Sequence, residues 1–355
     1  MARIGCECTC NRCLEGRVFP SITPATTPGP QRMLSFRNAT GSVSALLLIA
    51  LSGCSSSTAP IDRGSDYEPA PPIRRSGTYT RQLEINLLPR DYRIYVPESV
   101  TLNTPTSVIM VLHGNPPIDM APISEMNIEA TERGVVVVYP NSAFNAEWVH
   151  ACNCTANGIA RVDDRKYFEA LLDDLEIALP GGVDRAFMSG FSNGGMMTHT
   201  MACELSDRID GFAVVSAGMW TWTQDTRCFQ SSSAKIVMFN GTTDPQFPWD
   251  GMKLIVENRA ELIQAKVPDT AAWWAGRNAC QPEPMITALP DLTADGTTVE
   301  RWEYQGCAKP TVFYAIDQGG HTWPGMPVSF GAGLGNNSQD ISATRIMVDF
   351  FLGPR

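Results

Sequence analysis

The sequence predicts an α/β protein with a mostly parallel central sheet and helices on both faces. Two observations support this prediction: short, near-continuous apolar runs recur between residues 107 and 317, and segments with helical periodicity separate them. Strands that are buried on both faces have such runs. Strands that alternate with helices form parallel sheets, because each helix carries the chain back across the sheet.

Eight strands and five helices follow from these patterns. Two strands alternate in polarity and lie at 81–87 and 92–97. Six strands are apolar throughout and lie at 107–114, 134–140, 185–191, 211–218, 235–241 and 311–317. The helices are predicted at 121–133, 165–179, 194–206, 260–278 and 340–352. Because no long linker divides residues 78–355, they are predicted to form one domain.

The first 54 residues differ in composition from the rest and are predicted to be a signal region. They end in "SALLLIALSGCSSS", an apolar run too short to span a bilayer, closed by small residues and Cys54. This run resembles a lipoprotein signal, whose cleavage would make Cys54 the lipidated N-terminus. Met33 and Arg37 supply the basic start of such a signal, so residues 1–32 are interpreted as an upstream mis-start. The expected location is extracytoplasmic, either secreted or attached to a membrane through the lipid alone.

Residues 55–77 are rich in Ser, Pro and charged side chains and are predicted to be a flexible tether. Four cysteines near the start, Cys6, Cys8, Cys10 and Cys13, could bind zinc as thiolates, but no second group of ligands follows them. We therefore predict no metal site.

The chain carries 27 basic and 37 acidic side chains, which give a formal net charge of −10. Removal of residues 1–54, with five Arg and two Glu, leaves 22 basic and 35 acidic side chains and a charge of −13. Nucleic-acid binding needs a basic surface, so this balance argues against such a partner. A monomer is expected.

Six cysteines follow the signal region, and an exported chain meets an oxidising compartment in which they can pair. Sequence alone leaves the connectivity open. We prefer bridges between neighbours in sequence, Cys203 to Cys228 and Cys280 to Cys307. Each would close roughly 25 residues and stabilise the fold by about 3 kcal/mol. The cysteines left without a predicted partner are Cys152 and Cys154.

The stretch "FMSGFSNGGMM" places Ser192 inside a G-x-S-x-G frame, between a predicted strand and a predicted helix. Gly190 and Gly194 occupy the two positions where a side chain would obstruct a tight turn. Strand, turn and helix together are the context of a nucleophile elbow, which raises a serine hydroxyl above the edge of the sheet. The alternative is a serine in a structural turn.

A nucleophilic serine needs a base, and the chain has four histidines. His321 follows the last predicted strand in the loop "QGGHTWPG", from which an imidazole can reach the serine. His199 lies two turns along the helix after the elbow, too far along its axis to reach the hydroxyl. His113 ends a strand and is expected to shape the next loop and contact substrate. His150 is expected in a loop near the entrance of the site.

The acid that orients the base is expected between the serine and the histidine in sequence, on a loop after a strand. Asp244 in "NGTTDPQFPWDG" meets both conditions, and its carboxylate can hold the imidazole in the required tautomer. The competing carboxylates are Asp250, deeper in the same loop, and Asp317, at the end of a strand.

Two backbone amides are expected to bind the oxyanion that forms when a nucleophile attacks a carbonyl. One is Asn115, since Pro116 has no N–H, and the other is Asn193, at the positive end of a helix. Trp323 and Trp249 lie in loops after strands and are predicted to contact substrate in an aromatic pocket. The alternative for these indoles is packing at the rim of the domain.

With these residues placed, the chain resembles the secreted polyhydroxybutyrate depolymerase and feruloyl esterase group of α/β-hydrolases, which includes lipoprotein esterases. The resemblance covers about residues 78–353 and rests on "GFSNGGMM", "ACELSDRI", "NGTTDPQFPWDG", "WEYQGC" and "QGGHTWPG", in the family's order. It implies the α/β-hydrolase fold, with Ser192 as nucleophile, Asp244 as acid and His321 as base. Such chemistry needs no metal or organic cofactor.

The predicted function is therefore that of a serine carboxylic-ester hydrolase with an acyl-enzyme intermediate. The expected substrates are polyhydroxybutyrate-type oligomers or feruloyl or acetyl esters of polysaccharide. An acyltransferase acting on an envelope sugar or lipid would use the same triad. Outside the enzymes, the alternative is a non-catalytic glycan-binding surface lipoprotein, and the intact Ser, Asp and His argue against it.

Overall fold

The computed structural model of the chain describes residues 70–149, 162–228, 233–256, 259–328 and 330–354. These residues belong to one compact unit. The predicted signal region, most of the predicted tether and Cys54, the predicted lipidation site, lie outside the described residues. The same is true of His150, Cys152 and Cys154.

Among the described residues, ten strands form one sheet, and the six neighbouring strands at its centre run parallel. Their order across the sheet is β1 (Gly77–Ile85), β2 (Leu88–Val96), β4 (Val136–Pro140), β3 (Thr106–Leu112), β5 (Val183–Phe191), β6 (Gly211–Val215), β7 (Ile236–Gly241), β12 (Thr311–Asp317), β11 (Thr298–Glu303) and β10 (Met285–Ala288). The two strands at each end are antiparallel. A separate antiparallel hairpin consists of β8 (Met252–Val256) and β9 (Arg259–Gln264). The prediction of a mostly parallel sheet is confirmed.

The described part of the chain contains seven α-helices, which are α1 (Met120–Ser124), α2 (Met126–Arg133), α3 (Asp164–Ala178), α4 (Asn193–Glu204), α5 (Thr221–Thr226), α6 (Val267–Arg277) and α7 (Ala343–Leu352). Alternate residues of the central strands enter two different cores. On β3, Val108, Met110 and Leu112 join the core that includes α3, α4 and α6. Ile109 and Val111 join the core that includes α1, α2 and α7. Both faces of the sheet are covered, which explains the continuous apolar runs.

Two helix predictions need correction. The segment predicted as one helix at 121–133 forms α1 and α2, because Glu125 adopts a φ of +51° and interrupts the helix. The helix predicted at 260–278 begins only at Val267, where Pro268 favours a first turn, while the preceding residues pair with β8. Sequence patterns also missed α5, β8, β10 and β11. No described helix combines the length and apolar character that a membrane span requires.

The tether predicted for 55–77 ends earlier than expected. Ile73 is only 4% exposed, and its N–H donates to a carbonyl in the last turn of α3 at 2.8 Å. The guanidinium of Arg81 donates to the carbonyls of Pro71 and Ala70 at 2.8 and 3.0 Å. The chain is therefore bound to the fold from residue 70 onward.

Both predicted disulfides are confirmed. Cys203 at the end of α4 is joined to Cys228 after α5, and Cys280 after α6 is joined to Cys307 after β11. Each bridge ties a helix that covers the sheet to a neighbouring connection. The stabilisation expected from loops of this length is about 3 kcal/mol each.

His199 lies in the core between α4 and α6, away from the edge of the sheet where Ser192 lies. It is 1% exposed, and the indole Nε1–H of Trp274 donates to its Nδ1 at 3.1 Å. This hydrogen bond requires a neutral imidazole with its proton on Nε2. Burial lowers the pKa of His199 to about 3. An unfolded histidine has a pKa of about 6.5.

We expect His199→Asn to reduce the loss of stability on acidification. Because folding lowers the pKa of His199, the neutral imidazole makes its full contribution to the free energy of unfolding above about pH 6.5. This contribution is lost towards pH 3, at about 1.4 kcal/mol per pH unit. Asparagine keeps an acceptor near the position of Nδ1 but does not titrate. Urea unfolding between about pH 7 and pH 4 should show a shallower fall in the free energy of unfolding for the variant. Parallel curves for the two proteins would contradict this expectation.

Candidate active site

Ser192 occupies a sharp turn between β5 and α4, with φ +56° and ψ −122°. Residues other than glycine rarely adopt a positive φ, and such backbone strain is common at functional sites. A Cβ atom at Gly190 would lie 2.2 Å from the carbonyl oxygen of Gly194. A Cβ at Gly194 would lie 2.4 Å from the carbonyl oxygen of His113. Both glycines of the G-x-S-x-G frame are therefore required by the turn.

The structure brings Ser192, His321 and Asp244 together at the carboxyl edge of the parallel strands. Ser192 Oγ–H donates to His321 Nε2 at 3.0 Å, and His321 Nδ1–H donates to Asp244 Oδ2 at 2.9 Å. The three residues are 8%, 5% and 4% exposed, so the pairs are screened little by water. In this arrangement the imidazole can take the serine proton, while the carboxylate fixes its tautomer and stabilises its positive charge.

The direction of the Asp244 carboxylate is set by its own turn. Its Oδ1 accepts hydrogen bonds from two backbone N–H groups of the loop, at 2.7 and 2.9 Å, which leaves Oδ2 for the imidazole. The competing carboxylates point elsewhere. Asp250 is exposed and lies 4.0 Å from Lys266 Nζ, and Asp317 accepts a hydrogen bond from Thr242.

Two phenylalanine rings pack against the imidazole of His321. The ring centroids of Phe191 and Phe247 lie 4.9 and 5.6 Å from that of the imidazole. These contacts restrict rotation of the imidazole and shield its hydrogen bonds from water. Sequence analysis missed both residues, although one precedes Ser192 directly and the other follows Asp244 by three positions.

The loops that carry Asp244 and His321 are joined through their backbones. The backbone N–H and the hydroxyl of Thr243 both donate to the carbonyl of Gly319, at 3.0 and 2.9 Å. The N–H of His321 donates to the carbonyl of Leu334 at 2.6 Å. The loop that carries His321 is thus bonded to neighbouring loops on two sides.

The predicted oxyanion donors lie on either side of the elbow. Asn193 is the first residue of α4, where a backbone N–H has no acceptor within the helix. The loop before Asn115 approaches Ser192 closely, since a Cβ at Gly114 would lie 3.1 Å from Ser192 Cβ. Asn115 itself is exposed. Their role as oxyanion donors stays a prediction.

Two residues that were predicted to contact substrate are buried in the structure. Trp323 is 1% exposed, and its Nε1–H donates to Thr344 at the start of α7, at 2.9 Å. His113 is also buried; its Nδ1–H donates to the carbonyl of Gly114 at 2.7 Å, and its Nε2 accepts from the N–H of Ser142 at 3.2 Å. Burial lowers the pKa of the His113 imidazole. Both rings bind neighbouring segments from within the core. Their positions in the sequence, next to residues of the site, did not reveal this direction.

Trp249 is half-buried, with its ring centroid 5.8 Å from that of Phe313. A substrate contact by Trp249 stays a prediction. The described residues offer no group of three His, Cys, Asp or Glu side chains that could bind a metal ion. The four early cysteines, Cys6, Cys8, Cys10 and Cys13, lie outside the described residues.

Comparison with known proteins gives related esterases but no matching family model. The "probable feruloyl esterase C" of Aspergillus niger is 25% identical over 238 residues, which cover 65% of this chain and 76% of that protein. Feruloyl esterase C of Emericella nidulans is 23% identical over 251 residues, 69% of this chain and 80% of that protein. An acetyl xylan esterase structure from Aspergillus awamori has a TM-score of 0.50 at 16% identity, and the match covers 69% of this chain and 94% of that chain.

The parallel sheet, the elbow at its carboxyl edge and these similarities define the chain as an enzyme of the α/β-hydrolase fold that hydrolyses carboxylic esters. Within that class, the chain is similar to proteins named feruloyl esterase C, and the resemblance of its motifs points to the same group.

We expect Gly194→Ala to destabilise the protein and to lower its esterase activity. The new methyl group would overlap the His113 carbonyl at 2.4 Å, and relief of such overpacking costs about 1–3 kcal/mol and moves the loop beside Ser192. Gly276→Ala in α6 is the matched control, because a Cβ there meets nothing within 4 Å. That control should be stabilising by about 0.5–1 kcal/mol. Thermal unfolding and nitrophenyl ester hydrolysis measure both effects, and equal behaviour of the two variants would refute the expectation.

Proposed function

We propose that the protein hydrolyses esters through a triad of Ser192 as nucleophile, His321 as general base and Asp244 as the orienting acid. One observation carries this proposal: an unbroken chain of hydrogen bonds from the serine hydroxyl through the imidazole to the carboxylate. The strained turn that presents the serine supports it.

In the proposed reaction, His321 Nε2 accepts the proton of Ser192 while Oγ attacks the ester carbonyl carbon. The resulting oxyanion accepts hydrogen bonds from the backbone amides of Asn193 and Asn115. The imidazolium, stabilised by Asp244, then donates its proton to the leaving alcohol, and an acyl-enzyme remains. Water, deprotonated by the same imidazole, attacks the acyl-enzyme and releases the carboxylic acid and free serine.

As substrates we propose feruloyl or acetyl esters of polysaccharide. The names of the relatives, feruloyl esterase C and acetyl xylan esterase, support this class. Polyhydroxybutyrate-type oligomers are the second proposed class, on the resemblance of the sequence motifs alone. The kcat/KM values for methyl ferulate, acetylated xylan and hydroxybutyrate trimers separate the two, and a preference for the trimers would refute the first class.

We also propose that the enzyme acts outside the cytoplasm, anchored through a lipid on Cys54. The apolar run and small residues before this cysteine support the proposal. Incorporation of labelled palmitate by the wild-type chain, and its absence from the Cys54→Ala variant, is the expected result. Equal labelling of the two chains would exclude this anchor.

Ser192→Ala should abolish the burst of nitrophenol from nitrophenyl acetate, because no acyl-enzyme can form. Asp244→Asn should lower kcat by about 10⁴-fold, since an amide facing His321 Nδ1 favours the wrong tautomer. Asp317→Asn is the matched control: the same change at the end of β12, at a carboxylate that the proposed reaction does not use. Stopped-flow absorbance measures the burst, and circular dichroism checks the folding. A full burst from Ser192→Ala, or equal losses in the two Asp variants, would refute the triad.

A further inference from the structure

A segment that the proposed reaction does not use touches both sides of the site where the oxyanion would form. This segment, residues 141–149, follows β4, and we call it the strap. Its Trp148 N–H donates to Asn193 Oδ1 at 2.7 Å, and Asn193 Nδ2 donates back to the carbonyl of Trp148 at 3.4 Å. Both polar atoms of the Asn193 side chain are thus bonded to the strap, and the backbone N–H of Asn193 is left to bind the oxyanion.

The indole of the same tryptophan reaches the other side of the site. Trp148 Nε1–H donates to the carbonyl of His113 at 3.0 Å, and the two ring centroids lie 4.9 Å apart. A second contact comes from Ser142, whose N–H donates to His113 Nε2 at 3.2 Å. His113 directly precedes Gly114, the residue packed against Ser192. One buried residue, 1% exposed, therefore connects the two sides: its backbone binds the elbow, and its indole binds the loop that carries Asn115.

A buried ion pair fixes the two ends of the strap. Arg90 and Asp164 form a salt bridge of 2.6 Å, with side chains 2% and 0% exposed. The same guanidinium donates to the carbonyl of Asn141 at 3.2 Å, and the carboxylate accepts from the N–H of Val149 at 2.7 Å. Hydrogen bonds to buried charged groups are the stronger kind, so the position of Trp148 is set from outside the site.

We propose that Trp148 is a positioning residue, which sets the distance between the amide of Asn193 and the Gly114–Asn115 loop so that both amides face one oxyanion. The inference rests on the proposed function. Oxyanion donors must lie about 2.7–3.1 Å from the developing charge to stabilise it. They act more strongly in the transition state than in the substrate complex, so a change in their spacing affects kcat rather than KM.

The test is Trp148→Phe, which removes the indole N–H but keeps an aromatic ring. We expect kcat for nitrophenyl acetate to fall by about 10–100-fold, with KM changed less than about twofold. This fall in kcat is no larger than the fall expected when one oxyanion donor is removed completely. Phenylboronic acid forms a tetrahedral adduct on a reactive serine and uses the same amides. Its inhibition constant should rise by the same factor as kcat falls.

Trp274→Phe is the matched control. Trp274 is as buried as Trp148 and lies in the core between α4 and α6. The change removes an indole N–H that donates to His199 at 3.1 Å. It should lower the melting temperature and leave kcat and boronate inhibition unchanged. The inference is overturned if Trp148→Phe behaves like this control, or if it raises KM alone.

Asn193→Ala provides a second route if Trp148→Phe does not fold, because it keeps the backbone amide and removes both hydrogen bonds to the strap. It should show the same fall in kcat and the same rise in the boronate constant, and unchanged values would overturn the inference. Where both variants fold, the double variant should lose less than the product of the single losses, since both act on one connection. A wild-type protein without esterase activity would refute the proposed function, whereas an active wild type with indifferent variants refutes only the role of Trp148.

Discussion

The backbone of Ser192, held at φ +56° and ψ −122°, is the constraint on which the rest of the site depends. Such a conformation costs about 1–3 kcal/mol and persists only where the surroundings enforce it. Here β6 and α4 enforce it: the N–H of Ser192 donates to Val215 at 3.0 Å, and its carbonyl accepts the first hydrogen bond of the helix, from Met196. The glycines at 190 and 194 allow strand, helix and neighbouring loop to approach that closely.

Given that turn, the topology of the sheet supplies the other two groups. Parallel strands deliver all their carboxyl ends to the same edge, so the loops after β5, β7 and β12 meet although they are far apart in sequence. Proximity alone would leave the imidazole free to rotate. The two hydrogen bonds from Thr243 to Gly319 and the two phenylalanine rings restrict it, and the carboxylate of Asp244 fixes its tautomer.

The sequence could predict the central strands and the polar side chains of Ser192, Asp244 and His321. Periodicity locates the strands, and each of these side chains is of a reactive type and follows a strand. The sequence could not predict which way a loop side chain points. Trp323 and His113 both stand beside residues of the site in sequence, yet both enter the core, since a loop has no period from which a direction can be read. The start of the helix at 260–278 was predicted wrongly for a related reason. Its first residues pair with β8 instead, and this tertiary contact overrides their local propensity.

The groups that hold the site differ in kind from those proposed to do its chemistry. Buried ion pairs such as Arg90 with Asp164 add little net stability, because desolvation offsets much of their attraction. Their effect is on position, since each charged group also binds backbone atoms of a segment that must stay in place, as Arg81 does for residues 70 and 71. Every residue carries such backbone atoms, so no side-chain pattern marks them. A charged residue in the sequence looks like a surface residue until the fold shows that it is buried. The polar side chains proposed to carry out the chemistry could therefore be predicted from the sequence, whereas the contacts that hold the backbone in place become visible only in the structure.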